Sequence, residues 1–594
     1  MTEIRTSVLI VGGGGAGLTA SILLANLGID SVLVEKRGAT SGLPKAHLLN
    51  QRTMEIFRQH GIADEVYSQS CPLERMSTTR FATSLGGDGP LDRRTIFSLD
   101  AYGGGGLKER YEADSPVETT DLPQIHLEPE LRRQAEKRNP GRVLFGHELT
   151  EFSQDEGAVR AVILDRENGR SITVHADFMV GADGGKTIGP SLGIEMVGAT
   201  NLLDMVTVFF AADLSPWVPD DGALQTWFCN VNAKGAWSNG VLGPRGPVDY
   251  GPASRQWAVH FSMDVAEGTK FDVDTVVPRI RDLLGITDLD VDVLSVNHWI
   301  LEARHAERYR HGRVFLVGDA CHRHPPTTGL GLNSGIQDVH NLCWKLAAVI
   351  SGYASEEILD SYESERLPIA KQNIDWAMMT FDSLNLLSAS LGLKPGDVQG
   401  NTKALEMYFE DSWRGETRRS LVEEVAAAMR RQFQAHDLEL GFSYPQGVVL
   451  ADSSPEPARD PSGLDYRPST RPGHRFPHAW LTQEGQRIST LDLLQPASWT
   501  LVVGPEGEQW LSAAEKVAEE LNIPLRSVSI SEDGDSVDVD GTWATICGTE
   551  ADGAVLVRPD GHVGWRSVTS VQDPHDALST ALHQLLSASL LAPV

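Results

Sequence analysis

Two glycine-rich turns, far apart in the chain, carry the residue types from which this protein could do chemistry. The later one reads Gly318-Asp319, then His324-Pro325-Pro326-Thr327, then Gly329, Gly331, Leu332 and Asn333. An acid at the carboxyl end of an apolar strand (Val314-Phe315-Leu316-Val317) stands where α/β sheets meet their ligands. Glycines that feed a helix leave free N–H groups and a positive dipole end for an anion. Such a turn holds negative charge, whether resident or developing in a reaction. The earlier turn, Gly12-Gly13-Gly14-Gly15-Ala16-Gly17, fits G-x-G-x-x-G. Gly12 permits the tight turn, Gly14 the close approach of a pyrophosphate, and Gly17 the packing of helix on strand. Glu35, followed by Lys36, falls about 20 residues on, where an acid accepts ribose hydroxyls. This is a dinucleotide pattern, and by itself it does not separate FAD from NAD.

The elements that must position these turns follow from periodicity. Ser7–Val11 and Ser31–Val34 are short buried strands, with a helix from Leu18 to Leu27 between them and Gly28 ending it. The later turn feeds a helix bearing Ile336, Leu342, Trp344 and Leu346. Pro44 to Glu55 enters an amphipathic helix, and Thr120-Asp121-Leu122-Pro123-Gln124 precedes another from Leu127. His47 is either a satisfied turn histidine or a functional one; Asp121 either caps the following helix or faces a site. Val159 to Leu164 and Ile172 to Ala176 read as a hairpin-like pair leading to Gly181-Ala182-Asp183-Gly184. Residues 80–118 are glycine- and charge-rich, expected as partly mobile excursions. From about Leu192 to Ala303 the pattern alternates, with five tryptophans (Trp217, Trp227, Trp237, Trp257, Trp299), so an open antiparallel sheet with an apolar pocket is expected. Phe210 and Trp227 are the candidate pocket residues. A Pro/Ser/Asp-rich linker, 453–472, precedes a last α/β unit with a thioredoxin-like order of elements but no CxxC.

At 594 residues several domains are expected. A formal net charge of −30 argues against nucleic acid or an anionic membrane surface as partner. Five scattered cysteines offer neither a disulfide framework nor a zinc spacing, so no metal is expected. With no basic leader and no apolar run of spanning length, a cytoplasmic protein is the default.

The later turn and its helix, GDACHRHPPTTGLGLNSGIQDVHNLCWKLA, resemble the second FAD-binding motif of single-component FAD-dependent aromatic hydroxylases (class A flavoprotein monooxygenases). PKAHLLNQRTMEI, DLPQIHLEPEL, GADG, the YESERLP segment and the C-terminal RPGHRFPHAWL and VLVRPDGHVGWR are similar to those of the phenol and 2,4-dichlorophenol hydroxylase branch. The resemblance spans nearly the whole chain. It departs at Lys45, where the family has Arg, and after GADG, where Gly189 and Pro190 replace Val and Arg.

The resemblance implies an α/β plus α+β architecture: a discontinuous Rossmann-like FAD-binding domain (1–79, 119–191, 304–385), a substrate sheet domain (80–118, 192–303), a helical segment with linker (386–472) and a C-terminal domain (473–594). FAD would be held by Gly12, Gly14, Ala16, Gly17, Glu35, Lys36, Lys45, Arg52, Gln124, Asp183, Gly318, Asp319, Pro326, Gly329, Gly331, Leu332 and Asn333, with Pro325 against the isoalloxazine ring. His47 and Asp121 would form the path for a phenol's proton. The implied reaction uses NADPH or NADH and O2 to hydroxylate a phenolic or hydroxypyridine-type ring, ortho to an existing OH, through a flavin C4a-hydroperoxide. The substrate is either a simple (chloro)phenol or a biosynthetic aromatic, and a homo-oligomer is expected. The competing readings are an epoxidase or halogenase on the same FAD fold, although WxWxIP is absent, and a non-catalytic FAD-bound interaction protein. No GxSxG or HExxH supports a hydrolase.

Overall fold

A computed structural model describes residues 2–232, 240–263 and 271–587. Trp237 lies outside the described residues.

The first sheet is built on Thr2–Val11, flanked in parallel by Arg170–Gly181 on one side and Ser31–Glu35 on the other. Val143–Phe145 extends it beyond Ser31–Glu35, and Val314–Leu316 beyond Arg170–Gly181, both again parallel. Val8, Leu9 and Ile10 are wholly buried, which is why this strand reads as an unbroken apolar run. The helices Gly15–Asn26 and Leu330–Ile350 pack on each other and bring the two glycine turns to the same sheet edge. There Gly17 has no room for a side chain, because a Cβ would lie 2.0 Å from the Gly12 carbonyl oxygen.

The second sheet has eight strands, running from His322–Arg323 through Asp292–Ala306, Met196–Ala211, Gln256–Met263, Val241–Pro244, Ala223–Phe228 and Thr78–Ala82 to Thr95–Asp100. It is antiparallel except at Ala223–Phe228 with Thr78–Ala82, which run parallel. The stretch 80–118, expected as partly mobile, contributes two of these strands and the helix Lys108–Asp114. Its glycines serve close approaches: a Cβ on Gly104 would lie 2.5 Å from the Ser77 Cα. The rear face of the sheet carries Val206, Val208, Phe210, Trp257 and Phe261 against the helix Val273–Leu284. The front face roofs a cavity.

The C-terminal unit has four strands in the order Leu525–Ser529, Trp499–Val503, Ala554–Val557, Val563–Ser567, the first pair parallel and the others antiparallel. Helices Glu508–Leu521 and Pro574–Leu586 complete the expected βαβ–ββα order. This unit meets the rest of the molecule through buried charge. Arg475 bonds Glu55 (Nε–Oε2 2.9 Å), Arg558 bonds Glu365 (Nη2–Oε2 2.8 Å), and Lys345 Nζ reaches the same Glu365 oxygen at 2.7 Å.

Candidate active site

A cavity of about 760 Å3 opens between the glycine turns and the front face of the second sheet. Two helix N-termini point into it. Gly14 and Gly329 are their N-cap residues, neither has a side-chain cap, and neither helix carries an acid in its first turn. Their first N–H groups are therefore left for a ligand. Gly14 is the glycine whose Cβ would meet nothing closer than 3.7 Å (Glu128 Oε1), so its open side faces the cavity. Gly329 sits at φ +69°, a conformation that favours glycine and that turns the chain into the second helix. Two anion-seeking termini on one cavity, separated by a groove, suit a long dinucleotide with charge at its middle and at one end. The residues present fit FAD.

Of the residues singled out from sequence, Gly12, Gly14, Ala16, Glu35, Lys36, Lys45, His47, Gln124, Asp183, Gly318, Asp319, Pro325, Pro326, Gly329, Gly331, Leu332 and Trp227 all line this cavity. Glu35 accepts from the Gly13 amide (2.8 Å) and the Arg37 amide (2.9 Å), which fixes the carboxylate at the end of its strand. Asp183 accepts from the Gly185 and Ile188 amides (3.0 Å each), closing the GADG turn. Ile188 there is wholly buried, so the turn is packed despite its altered tail.

Five residues do not line the cavity. Gly17 packs helix on strand. Arg52 turns away, donating to Glu55 (3.0 Å) and to the Asp560 carbonyl (2.6 Å), so it joins the C-terminal unit and not the cofactor groove. Asn333 accepts from the Asn50 amide (3.1 Å) and the Thr53 hydroxyl (2.6 Å) and donates to the Leu48 and Gly329 carbonyls, tying the helix to the His47 segment. Phe210 is wholly buried in the rear-face core, because alternation puts Met205 and Thr207 on the cavity side and Val206, Val208 and Phe210 behind. Asp121 is wholly buried behind His47 and acts on it directly, its Oδ2 paired with His47 Nδ1. It reaches the cavity only through that ring.

The His47–Asp121 pair follows from local pairing: Leu48 opposes Asp121 in a two-stranded bridge, and the Leu122 amide donates to the His47 carbonyl at 2.9 Å. A carboxylate on Nδ1 makes that nitrogen the donor, which leaves Nε2 with its lone pair towards the cavity. Gln225 Nε2 stands 3.4 Å from it. Gln225 Oε1 in turn accepts from Tyr102 Oη and Trp227 Nε1 (3.2 Å each). Met205, Trp299 and Phe433 line the same chamber, an apolar wall around few polar groups.

Sequence reading missed most of this wall. Tyr102, Thr207, Gln225, His260 and Phe433 line the cavity, with Arg245 directly behind His260. No motif marks them, and for Thr207, Gln225 and His260 only the parity along each strand, fixed by pairing, reveals the face they occupy. Glu128 was also missed. It accepts from the Ser41 amide (2.9 Å) beside Gln124, and burial pushes its carboxyl up.

Behind the Gly318 turn, Cys321, His322 and Asp338 form the one cluster among the described residues whose atoms could meet on a metal. Its carboxylate is already committed: Asp338 takes His322 Nε2 (2.6 Å), Arg366 Nε (2.9 Å) and the Gly318 amide (3.1 Å). Burial pushes the Cys321 thiol well up, so it is a poor ligand. The cluster braces the turn. Among the described residues no helix is long and apolar enough to cross a membrane.

Residues 5–377 match a family model described as FAD binding domain, and residues 469–589 one described as aromatic-ring hydroxylase, C-terminal. The chain is 34% identical to phenol 2-monooxygenase of Pseudomonas sp. (strain EST1001), over 98% of this chain and 92% of that one. It is 33% identical to 2,4-dichlorophenol 6-monooxygenase of Delftia acidovorans, over 99% of both. Its fold superposes on the crystal structure of the flavin-dependent monooxygenase PieE in complex with FAD and substrate, with a TM-score of 0.92, 37% identity, and coverage of 99% and 100%.

Proposed function

The chain belongs to the FAD-dependent aromatic-ring hydroxylases, and from that premise we propose that it uses NAD(P)H and O2 to hydroxylate an electron-rich hydroxyaromatic ring, ortho to an existing OH. The observation that carries this reading is the His47–Asp121 pair on the same cavity as two uncapped helix N-termini.

The glycine turn at Gly12–Gly14 with Glu35, Lys45 and Asp183, and the turn at Gly318–Leu332, are the groups that would hold FAD. Bound FAD, reduced by NAD(P)H, supplies the activated oxygen atom. The remaining work falls to this chain. His47 Nε2 accepts the substrate's hydroxyl proton, which raises electron density at the ortho carbon. Asp121 fixes the tautomer and steadies the charge that His47 gains. The N-terminus of Leu330–Ile350 favours negative charge beside it. Trp227, Trp299, Phe433 and Met205 exclude water from the chamber. The five cysteines are all buried and unpaired, which supports a reducing, cytoplasmic setting.

The experiment is a panel of phenols and hydroxypyridines with purified FAD-loaded protein, NADPH or NADH, and 18O2. One labelled oxygen in a product is the expected result. NAD(P)H oxidation that no aromatic stimulates would sink the reading.

A further inference from the structure

Thr207 holds a hydrogen atom that the protein does not use. It lies in a cross-strand row on the front face of the sheet, Asn297–Thr207–His260–Val241–Trp227, all five residues lining the cavity. Trp299 Nε1 donates to the Thr207 Oγ1 at 3.0 Å. His260 Nδ1 lies 2.9 Å from the same oxygen, and His260 Nε2 lies 3.1 Å from Arg245 Nη2.

The tautomer follows from the inventory of donors. A guanidinium has only N–H groups to offer, so His260 Nε2 must accept, and the imidazole proton must sit on Nδ1. Burial first, then the Arg245 charge, holds His260 well below its ordinary value, so the ring is neutral with that one proton. His260 therefore donates to Thr207, as Trp299 does. Both lone pairs of the hydroxyl are taken, and its O–H must donate. Among the described residues its oxygen bonds only His260 and Trp299, no bond to the neighbouring Asn297 is made, and the hydroxyl lines the cavity. A buried hydroxyl that cannot place its hydrogen is destabilising, so the site is poised for a ligand oxygen with a lone pair.

His47 presents the opposite polarity, an Nε2 lone pair on the cavity that only the Gln225 amide reaches, at 3.4 Å, and that a substrate O–H can take over. It stands beside Gln225, on a strand three spacings from that of Thr207, or about 14 Å between strand axes at ~4.8 Å each. A single ring with one hydroxyl can satisfy one pole only.

We propose, resting on the aromatic-hydroxylase reading above, that Thr207 donates a hydrogen bond to a second substrate oxygen, a carbonyl or quinone oxygen set apart from the hydroxyl at His47, so that the site selects fused-ring hydroxyaryl carbonyl compounds over simple phenols. Thr207 is then a specificity-determining residue, and His260 with Arg245 are positioning residues that force its hydroxyl to act as donor.

The test compares 6-hydroxy-1-tetralone with 5,6,7,8-tetrahydro-2-naphthol, a pair differing only in the carbonyl. Dissociation constants come from the perturbed flavin absorbance of FAD-loaded wild type, Thr207→Val and Thr207→Ser. The expected result is a preference of about tenfold for the tetralone in wild type and Thr207→Ser, as one well-made hydrogen bond gives. In Thr207→Val the preference disappears while naphthol affinity changes less than about twofold. Equal binding of the two probes by wild type, or a preference that survives in Thr207→Val, overturns the proposal. So does the absence of tetralone binding while simple phenols stimulate NAD(P)H oxidation, which leaves the hydroxylase reading standing. If no aromatic stimulates that oxidation yet the preference vanishes in Thr207→Val, the hydroxylase reading falls and the donor assignment survives.

Discussion

Two of the molecule's buried polar networks differ in how they end. Where the C-terminal unit docks, every carboxylate oxygen of Glu55, Glu365 and Asp560 has a donor: Arg475, Arg52 and Ser115 on the first, Lys345, Arg558, Asn341 and the Val448 amide on the second, Arg558 and the His562 amide among those on the third. That network's carboxylates are all met, although Arg52 Nε and the two His562 ring nitrogens make no hydrogen bond. On the cavity wall the chains of hydrogen bonds run out. Asp121 Oδ1 has no partner, His47 Nε2 meets only the Gln225 amide at 3.4 Å, and the Thr207 hydroxyl has a hydrogen to give. The carboxylates of the seam are therefore spent on assembly, whereas the Asp121 carboxylate at the cavity keeps an oxygen unmet.

His47→Ala should sharpen the contrast most. Product formation at saturating aromatic substrate is expected to fall by about 10²–10⁴-fold, the range for loss of a positioned acid–base group. FAD content should stay near wild type, while the unfolding midpoint falls only modestly as the buried Asp121 loses its partner. A comparable loss of stability would mean that His47 belongs to the seam's kind of network.

Glu365→Ala should do the reverse. It strands Arg558 and Lys345 without their anion, which costs roughly 3–5 kcal/mol, read as a lowered urea midpoint. Turnover per folded, FAD-bound molecule should hold within a few-fold. A selective loss of turnover would break the division.

Acidity separates the two regions as well. Burial pushes Glu55 and Glu365 up, but Arg475 and Arg52 beside the one and Arg558 and Lys345 beside the other outweigh it and hold both at about 2. A carboxylate held below its unfolded value contributes stability that is full above about pH 4.5 and is lost as pH falls towards 2. Unfolding titrations at pH 7, 5, 4 and 3 should show a decline that reaches on the order of 2 kcal/mol per carboxylate by pH 3. In Glu365→Gln the decline should be shallower. An equal slope would remove Glu365 from the account.

The smallest contrast lies within one sheet. Phe210→Leu, on the rear face, is expected to lower stability by about 1–2 kcal/mol and leave KM unchanged. Trp227→Phe, on the front face, should shift KM by a few-fold with little change in unfolding midpoint. A KM effect at Phe210 would contradict the assignment of faces.

That sheet also shows where the sequence ran out. Both glycine turns were legible because their chemistry is local: backbone N–H groups, a tight turn and a helix start are written in consecutive residues. The chamber wall was not. Thr207 and Phe210 lie three positions apart on one alternating strand, and which parity faces inward depends on pairing with Gln256–Met263 and Asp292–Ala306. Arg52 sits inside a motif read as holding the cofactor, yet its partner, Asp560, lies at the other end of the chain. Asp121 was expected, through resemblance, to face the substrate cavity; it lies behind the His47 ring instead, on a two-residue bridge that no periodicity announces.

Arg52 and Glu55 stand on the helix Gln51–Gln59, directly after the His47 segment, and their partners come from residues 475 and 560. Lys345, on the helix whose N-terminus faces the cavity, shares Glu365 with Arg558. The two helices that frame the reaction chamber thus have their ion pairs completed by the last quarter of the polypeptide. Anyone shuffling such genes would find that this portion does not travel as a cassette. A chimera must inherit both halves of each pair, and variation in substrate choice is freer along the sheet than across that seam.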